Sequence, residues 1–181
     1  MKNKYSKIAG LVLAIIISVL VFVFRDKFVH LENYGYLGIF LISVLGNATI
    51  ILPVPVILTA FLGGGIFNPI LVGIITAFGA SIGELTGYLA GSAGQIVIEK
   101  DKRLKKIEGW MQKYGIVTLF VLAAIPNPLF DLAGIVAGAT KVPVWKYLIV
   151  VFLGKLVKFL GFAYLGAGSI KVLGLDKVNI L

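Results

Sequence analysis

The chain contains no cysteine, a single histidine and only eight carboxylates among its 181 residues. Without cysteine there is no disulfide, no thiol nucleophile and no thiolate-held metal. The one imidazole, His30, lies in the polar segment "RDKFVHLENYGY" and is read as an interfacial residue, so Ser81 of "GASIG" (79–83) lacks a base. That G-x-S-x-G match follows no strand, and its glycines belong to a longer stripe, so it is read as accidental. No metal-ligand cluster, nucleotide loop or pair of catalytic carboxylates is present. The sequence therefore argues against an enzyme and implies neither cofactor nor metal.

Apolar residues are what the chain has in excess. It is 59% hydrophobic and 14% charged, with a mean hydropathy of +1.03. Long apolar segments separated by short basic ones indicate an integral membrane protein. The formal charge of +9 is assigned to lysines that fix topology and meet anionic lipid headgroups, not to nucleic acid.

The run from Ile8 to Phe24 is stopped by Arg25 and Lys27 with no small-residue cleavage site, which predicts an uncleaved transmembrane helix within residues 1–27. Residues 28–181 read as one membrane domain in two halves. The first (about 28–94) holds a broken apolar stretch at 37–66 and a helix at 69–92; a basic amphipathic linker follows at 95–115. The second (about 104–168) holds a broken stretch at 116–140 and a helix at 144–165. The halves answer one another: "YG" at 34–35 and 114–115, "PVP" at 53–55 and "PNP" at 126–128, then Gly64, Pro69, Glu84 and Gly87 with Gly138, Pro143, Lys158 and Gly161.

Pro53, Pro55, Pro126 and Pro128 break the two stretches, because proline donates no backbone hydrogen bond and forces its predecessor out of the helical region. Unpaired carbonyls at membrane depth cost several kcal/mol unless protein or water surrounds them. The arms 116–125 and 129–139 are each about 15 Å long as helix, half of a roughly 30 Å hydrocarbon core. A re-entrant hairpin fits, as does a proline-kinked spanning helix. Charge favours the hairpin for the first stretch. With Lys2, Lys4 and Lys7 cytoplasmic, only a returning first stretch places Lys100, Lys102, Arg103, Lys105, Lys106 and Lys113 on the cytoplasmic side as well. The fold class expected is an all-α polytopic membrane protein, an inverted repeat with two opposed re-entrant hairpins, spanning helices and interfacial amphipathic helices.

Four ionisable residues fall inside apolar segments: Glu84, Asp131, Lys155 and Lys158. Each costs ~2.5–3.5 kcal/mol at a helix centre and demands a partner or water. The repeat pairs Glu84 with Lys158, so a structural salt bridge competes with a polar track that attracts phosphate or relays protons. Asp131, with Asn127 one turn before it, is the stronger candidate for the substrate pathway. Gly79, Gly83, Gly87 and Gly91 form a four-residue stripe suited to close helix packing.

The segments "GASIGELTGYLAGSAG" (79–94) and "PNPLFDLAGIVAGA" (126–139), in that order around a basic amphipathic linker, resemble the DedA family. The same superfamily is called VTT-domain or SNARE-associated Golgi protein, and the resemblance covers roughly residues 30–170. It implies two opposed re-entrant hairpins and movement of lipids across bilayers: undecaprenyl phosphate in bacterial members, phospholipids in eukaryotic ones. Glu84 stands where the family has an acidic residue after its glycines. The chain departs from the family in reading "PVPVIL" where many bacterial members carry an acidic residue, and in lacking arginines around the second hairpin's proline. These departures bear on polyprenyl-phosphate selectivity more than on fold, and indicate a divergent branch.

The expectation is a flippase or scramblase for a phospholipid or polyprenyl-phosphate headgroup, in the plasma membrane, with membrane lipids as partners and a homo-oligomer compatible. A proton-coupled carrier of a small solute and a non-transporting scaffold protein are the rivals.

Overall fold

A computed structural model describes residues 35–48, 56–93, 102–126 and 130–172. The expected first helix, His30 and the tip residues Pro53, Pro55, Asn127 and Pro128 lie outside the described residues. Among the described residues all regular structure is helical: α1 (Tyr36–Ala48), α2 (Val56–Ile66), α3 (Pro69–Gly83), α4 (Leu85–Ala93), α5 (Lys102–Tyr114), α6 (Val117–Ala124), α7 (Phe130–Ala139) and α8 (Val144–Val172).

Local chemistry sets the boundaries. Asn68 caps α3 through its side-chain oxygen, which accepts from the backbone of Ile70 and Leu71, and Pro69 occupies the first helical position, where its missing N–H is no loss. Helix α6 stops at Ala124 because Ile125, preceding Pro126, is extended (φ −97°, ψ 134°). Helix α7 closes with Lys141 in the left-handed region (φ 59°), while Val142 N bonds Ala137 O at 3.0 Å and Lys141 N bonds Gly138 O at 3.1 Å. That is a Schellman-type cap on a residue other than glycine. Gly35 (φ 60°) and Gly115 (φ 59°), the glycines of the two "YG" pairs, adopt the same left-handed conformation at the start of their arms.

Among the described residues, two helical stretches are long and apolar enough to cross a membrane: Pro69–Ala93, which joins α3 and α4, and Val144–Ser169 of α8. The first is irregular only at Glu84, whose backbone stays helical (φ −63°, ψ −14°) and whose carbonyl still accepts from Tyr88 N at 3.2 Å. On α8 the side chains of Trp145, Ile149, Leu153 and Val157, four residues apart, are exposed and apolar, as a lipid-facing stripe requires. The sequence placed the end of this helix near Leu165; it runs on to Val172.

Helix α8 packs along α2, α3 and α6; α1 lies on α3, and α4 lies on α7. Glycines make these contacts close. A Cβ on Gly79 of α3 would sit 2.7 Å from Phe40 O of α1, and one on Gly154 of α8 would sit 2.7 Å from Phe120 O of α6. A Cβ on Gly64 of α2 would strike the backbone of Ala163 on α8, as one on Gly138 of α7 would strike that of Tyr88 on α4. Gly166 of α8 meets the Phe61 carbonyl of α2 in the way Gly91 of α4 meets the Ile135 carbonyl of α7. The stripe Gly79, Gly83, Gly87 and Gly91 is shared between two neighbours. Gly79 and Gly83 admit the carbonyls of Phe40 and Val44 on α1, whereas Gly87 and Gly91 lie against Asp131 and Ile135 on α7.

The amphipathic α5 buries Leu104 and Ile107 in the main hydrophobic cluster, with Leu119, Phe130, Val136, Tyr147 and Val151, and leaves Lys102, Lys105, Lys106 and Lys113 exposed.

Candidate functional site

Polar side chains converge where α1, the α3–α4 junction and α8 meet. Lys155 Nζ lies 2.9 Å from Glu84 Oε1 and donates to Asn47 Oδ1 at 2.6 Å. The two charged side chains are 1% and 4% exposed. A rise of 1.5 Å per residue puts Glu84 about 22 Å and Lys155 about 16 Å from the starts of their spanning stretches, in the middle third of each.

Each partner is held from behind. Asn47 Nδ2 donates to Ser43 O at 2.9 Å one turn back on α1, which aims its oxygen at the lysine. The Tyr147 hydroxyl donates to Glu84 O at 3.4 Å. Thr86 Oγ1 bridges Ala48 O (2.8 Å) and Gly83 O (3.0 Å), tying the end of α1 to the irregular turn. Above the ammonium, the Phe130 ring lies 4.8 Å from Lys155 Nζ. A buried lysine in a membrane segment is costly alone; here a carboxylate, an amide oxygen and an aromatic face compensate it.

Lys158 is one turn further along α8 and less enclosed. Its ammonium lies 5.1 Å from the Phe159 ring and 5.6 Å from that of Phe130. Asp131 projects from the first turn of α7, is exposed, and lies within the electrostatic reach of both lysines. A carboxylate there also suits the positive end of the helix dipole. Pro126 is exposed at the end of α6.

The structure thus gathers Glu84, Lys155, Lys158 and Asp131 in one region. Of the two lysines the sequence left open as neutralising Glu84, Lys155 forms the ion pair, and Lys158, the counterpart of Glu84 in the repeat, stands outside it. Gly79 and Gly91 answer Gly154 and Gly166, a register that sets Glu84 against Phe159, so equivalence within the repeat does not choose between the two lysines. Sequence reasoning missed Asn47, Phe130 and Tyr147. The lone amide of Asn47 inside the apolar run "LGIFLISVLGNA" was the available signal. Ser81 is mid-helix and donates to Ala77 O at 2.7 Å, so "GASIG" forms no nucleophile turn.

The VTT domain model matches residues 52–168, which include Glu84, Asp131, Lys155 and Lys158. The uncharacterized membrane protein YbfM of Bacillus subtilis is 36% identical over 109 residues, 54% of this chain and 67% of that protein. Vacuole membrane protein KMS2 of Arabidopsis thaliana is 30% identical over 103 residues, 46% of this chain and 25% of its own length. An uncharacterized protein of Methanocaldococcus jannaschii is 29% identical across 75% of this chain and 86% of that one. The chain therefore spans about a quarter of the plant relative and two thirds of the Bacillus one. No solved structure matches it. The domain match and these relatives place the chain in the VTT-domain, or DedA, family of membrane proteins.

Proposed function

We propose that this protein moves lipid across the bilayer, the headgroup passing through a polar region between two re-entrant hairpins while the acyl chains stay in lipid. One observation carries the reading: at mid-span, the exposed Asp131 and the half-buried Lys158 flank a sealed Lys155–Glu84–Asn47 cluster. A zwitterionic or phosphate headgroup needs both signs of charge along its path, and charged groups at this depth are expensive to keep without a role.

The hairpin architecture and inverted repeat belong to the same proposal. Arms α6 and α7 have eight and ten residues, too short to span singly, and they pack on each other, as do α1 and α2. Each first arm lies on the spanning helix of its own half, and each returning arm lies on that of the other half. The three matched glycine contacts and the twin left-handed glycines Gly35 and Gly115 support an internal repeat. On this reading the basic helix α5 and the N-terminus lie in the cytoplasm.

A proton-coupled solute carrier is the second reading. The near-complete burial of the Glu84–Lys155 pair favours it, since a sealed carboxylate is a natural proton acceptor when its partner moves away.

The test is reconstitution of purified protein into liposomes with headgroup-labelled phospholipid in both leaflets, followed by an impermeant quencher. Loss of inner-leaflet label in protein-containing vesicles alone is expected. With folded protein present, no loss for either labelled phospholipid or labelled polyprenyl phosphate overturns the reading.

A further inference from the structure

A second site lies away from the polar cluster, where the amphipathic helix α5 meets arm α6. The two enclose a groove of about 420 Å³ lined by Trp110, Tyr114, Val117, Thr118, Val121 and Leu122. That volume is in the range of small-ligand pockets. The Thr118 hydroxyl in the lining is already engaged: Thr118 Oγ1 donates to Trp110 O at 3.0 Å. The wall is therefore apolar, while its rim is cationic. Lys106, Trp110, Lys113 and Tyr114 follow one stripe of α5, and each lysine sits over its aromatic neighbour, Lys106 Nζ 5.0 Å from the Trp110 ring and Lys113 Nζ 5.0 Å from that of Tyr114. Lys102 and Lys105 add exposed positive charge on the same helix, against the single carboxylate Glu108.

We infer that this groove binds one acyl chain of an anionic phospholipid, with its phosphate at the Lys106–Lys113 rim. The charge selects the occupant. A zwitterionic lipid would fill the apolar wall equally well but would bring its own cation to the cationic edge, and a neutral detergent no charge at all, whereas an anionic headgroup satisfies both parts. Trp and Tyr at the groove mouth suit the headgroup level, where amphipathic rings settle. The site rests on membrane residence alone and is independent of whether lipid is transported.

The chain carries two tryptophans, which makes the test direct. In the Trp145→Phe variant Trp110 is the sole indole; in Trp110→Phe it is Trp145, an exposed residue of α8 with Lys146 5.3 Å above its ring. Each variant is placed in phosphatidylcholine vesicles titrated with brominated phosphatidylglycerol or brominated phosphatidylcholine, and quenching is read as relative affinity. At Trp110 the anionic probe is expected to win by about thirtyfold, what two surface lysines supply together. Lys106→Gln with Lys113→Gln should abolish the preference, and Val121→Phe, which fills the groove, should weaken it. Equal quenching by both probes at Trp110 overturns the site. So does the same preference at Trp145, because it would report ordinary attraction to interfacial lysines with no groove required.

Discussion

Lys155 and Glu84, 71 residues apart in sequence, meet at 2.9 Å in the buried centre of the helix assembly. Their contact joins the irregular turn between α3 and α4 to the middle of α8, and Asn47 brings α1 into the same junction. A single lysine thus links elements from both halves of the chain.

Removing one member of such a pair leaves the other buried and uncompensated, at about 3–5 kcal/mol. Lys155→Met should therefore lower the unfolding temperature in detergent markedly. Glu84→Gln combined with Lys155→Met should recover much of that loss, since the isolated charge is gone. Thermal unfolding of the singles and the double measures this; a double variant as unstable as the sum of the singles would show that the pair is not a unit.

The glycine contacts predict a contrast within one residue type. Gly138→Ala would push a methyl into the Tyr88 backbone and part α7 from α4, costing about 1–3 kcal/mol. Gly161→Ala meets nothing within 4 Å and should be neutral or stabilise α8 by roughly 0.5–1 kcal/mol. Unfolding midpoints of the two variants should move in opposite directions, or the second should stay put.

The lack of cysteine makes accessibility mapping clean. Asp131→Cys, if it borders a polar path, should react with a membrane-impermeant maleimide in liposomes. Leu153→Cys, also exposed but on the apolar stripe of α8, should not. Mass shifts after labelling report both; an Asp131→Cys as unreactive as Leu153→Cys would place Asp131 against lipid.

Helix positions were largely legible in the sequence, because apolar run length, Asn68–Pro69 and Ile125–Pro126 act locally. The meeting of Lys155 with Glu84 was not. Two lysines one turn apart on α8 offer nearly the same direction, and the choice between them depends on how far α8 slides along α3, a property of helix packing that no local pattern encodes. The glycine stripe was legible as a close-packing face, but its partners were not: the face passes from α1 to α7 at Glu84, so one pattern serves two helices. Asn47 matters because a distant lysine points at it, and only its isolation among apolar neighbours hinted at that.

The most direct test of the transport account is the rate of labelled-lipid exchange by Lys158→Gln and Asp131→Asn in liposomes, at matched amounts of folded protein. Lys158 takes no part in the buried ion pair, so its loss should leave the unfolding temperature unchanged. The account predicts that exchange falls by about tenfold or more in each variant, the worth of one charge-assisted contact in the rate-limiting state. Exchange at the wild-type rate in both would contradict a pathway through this region.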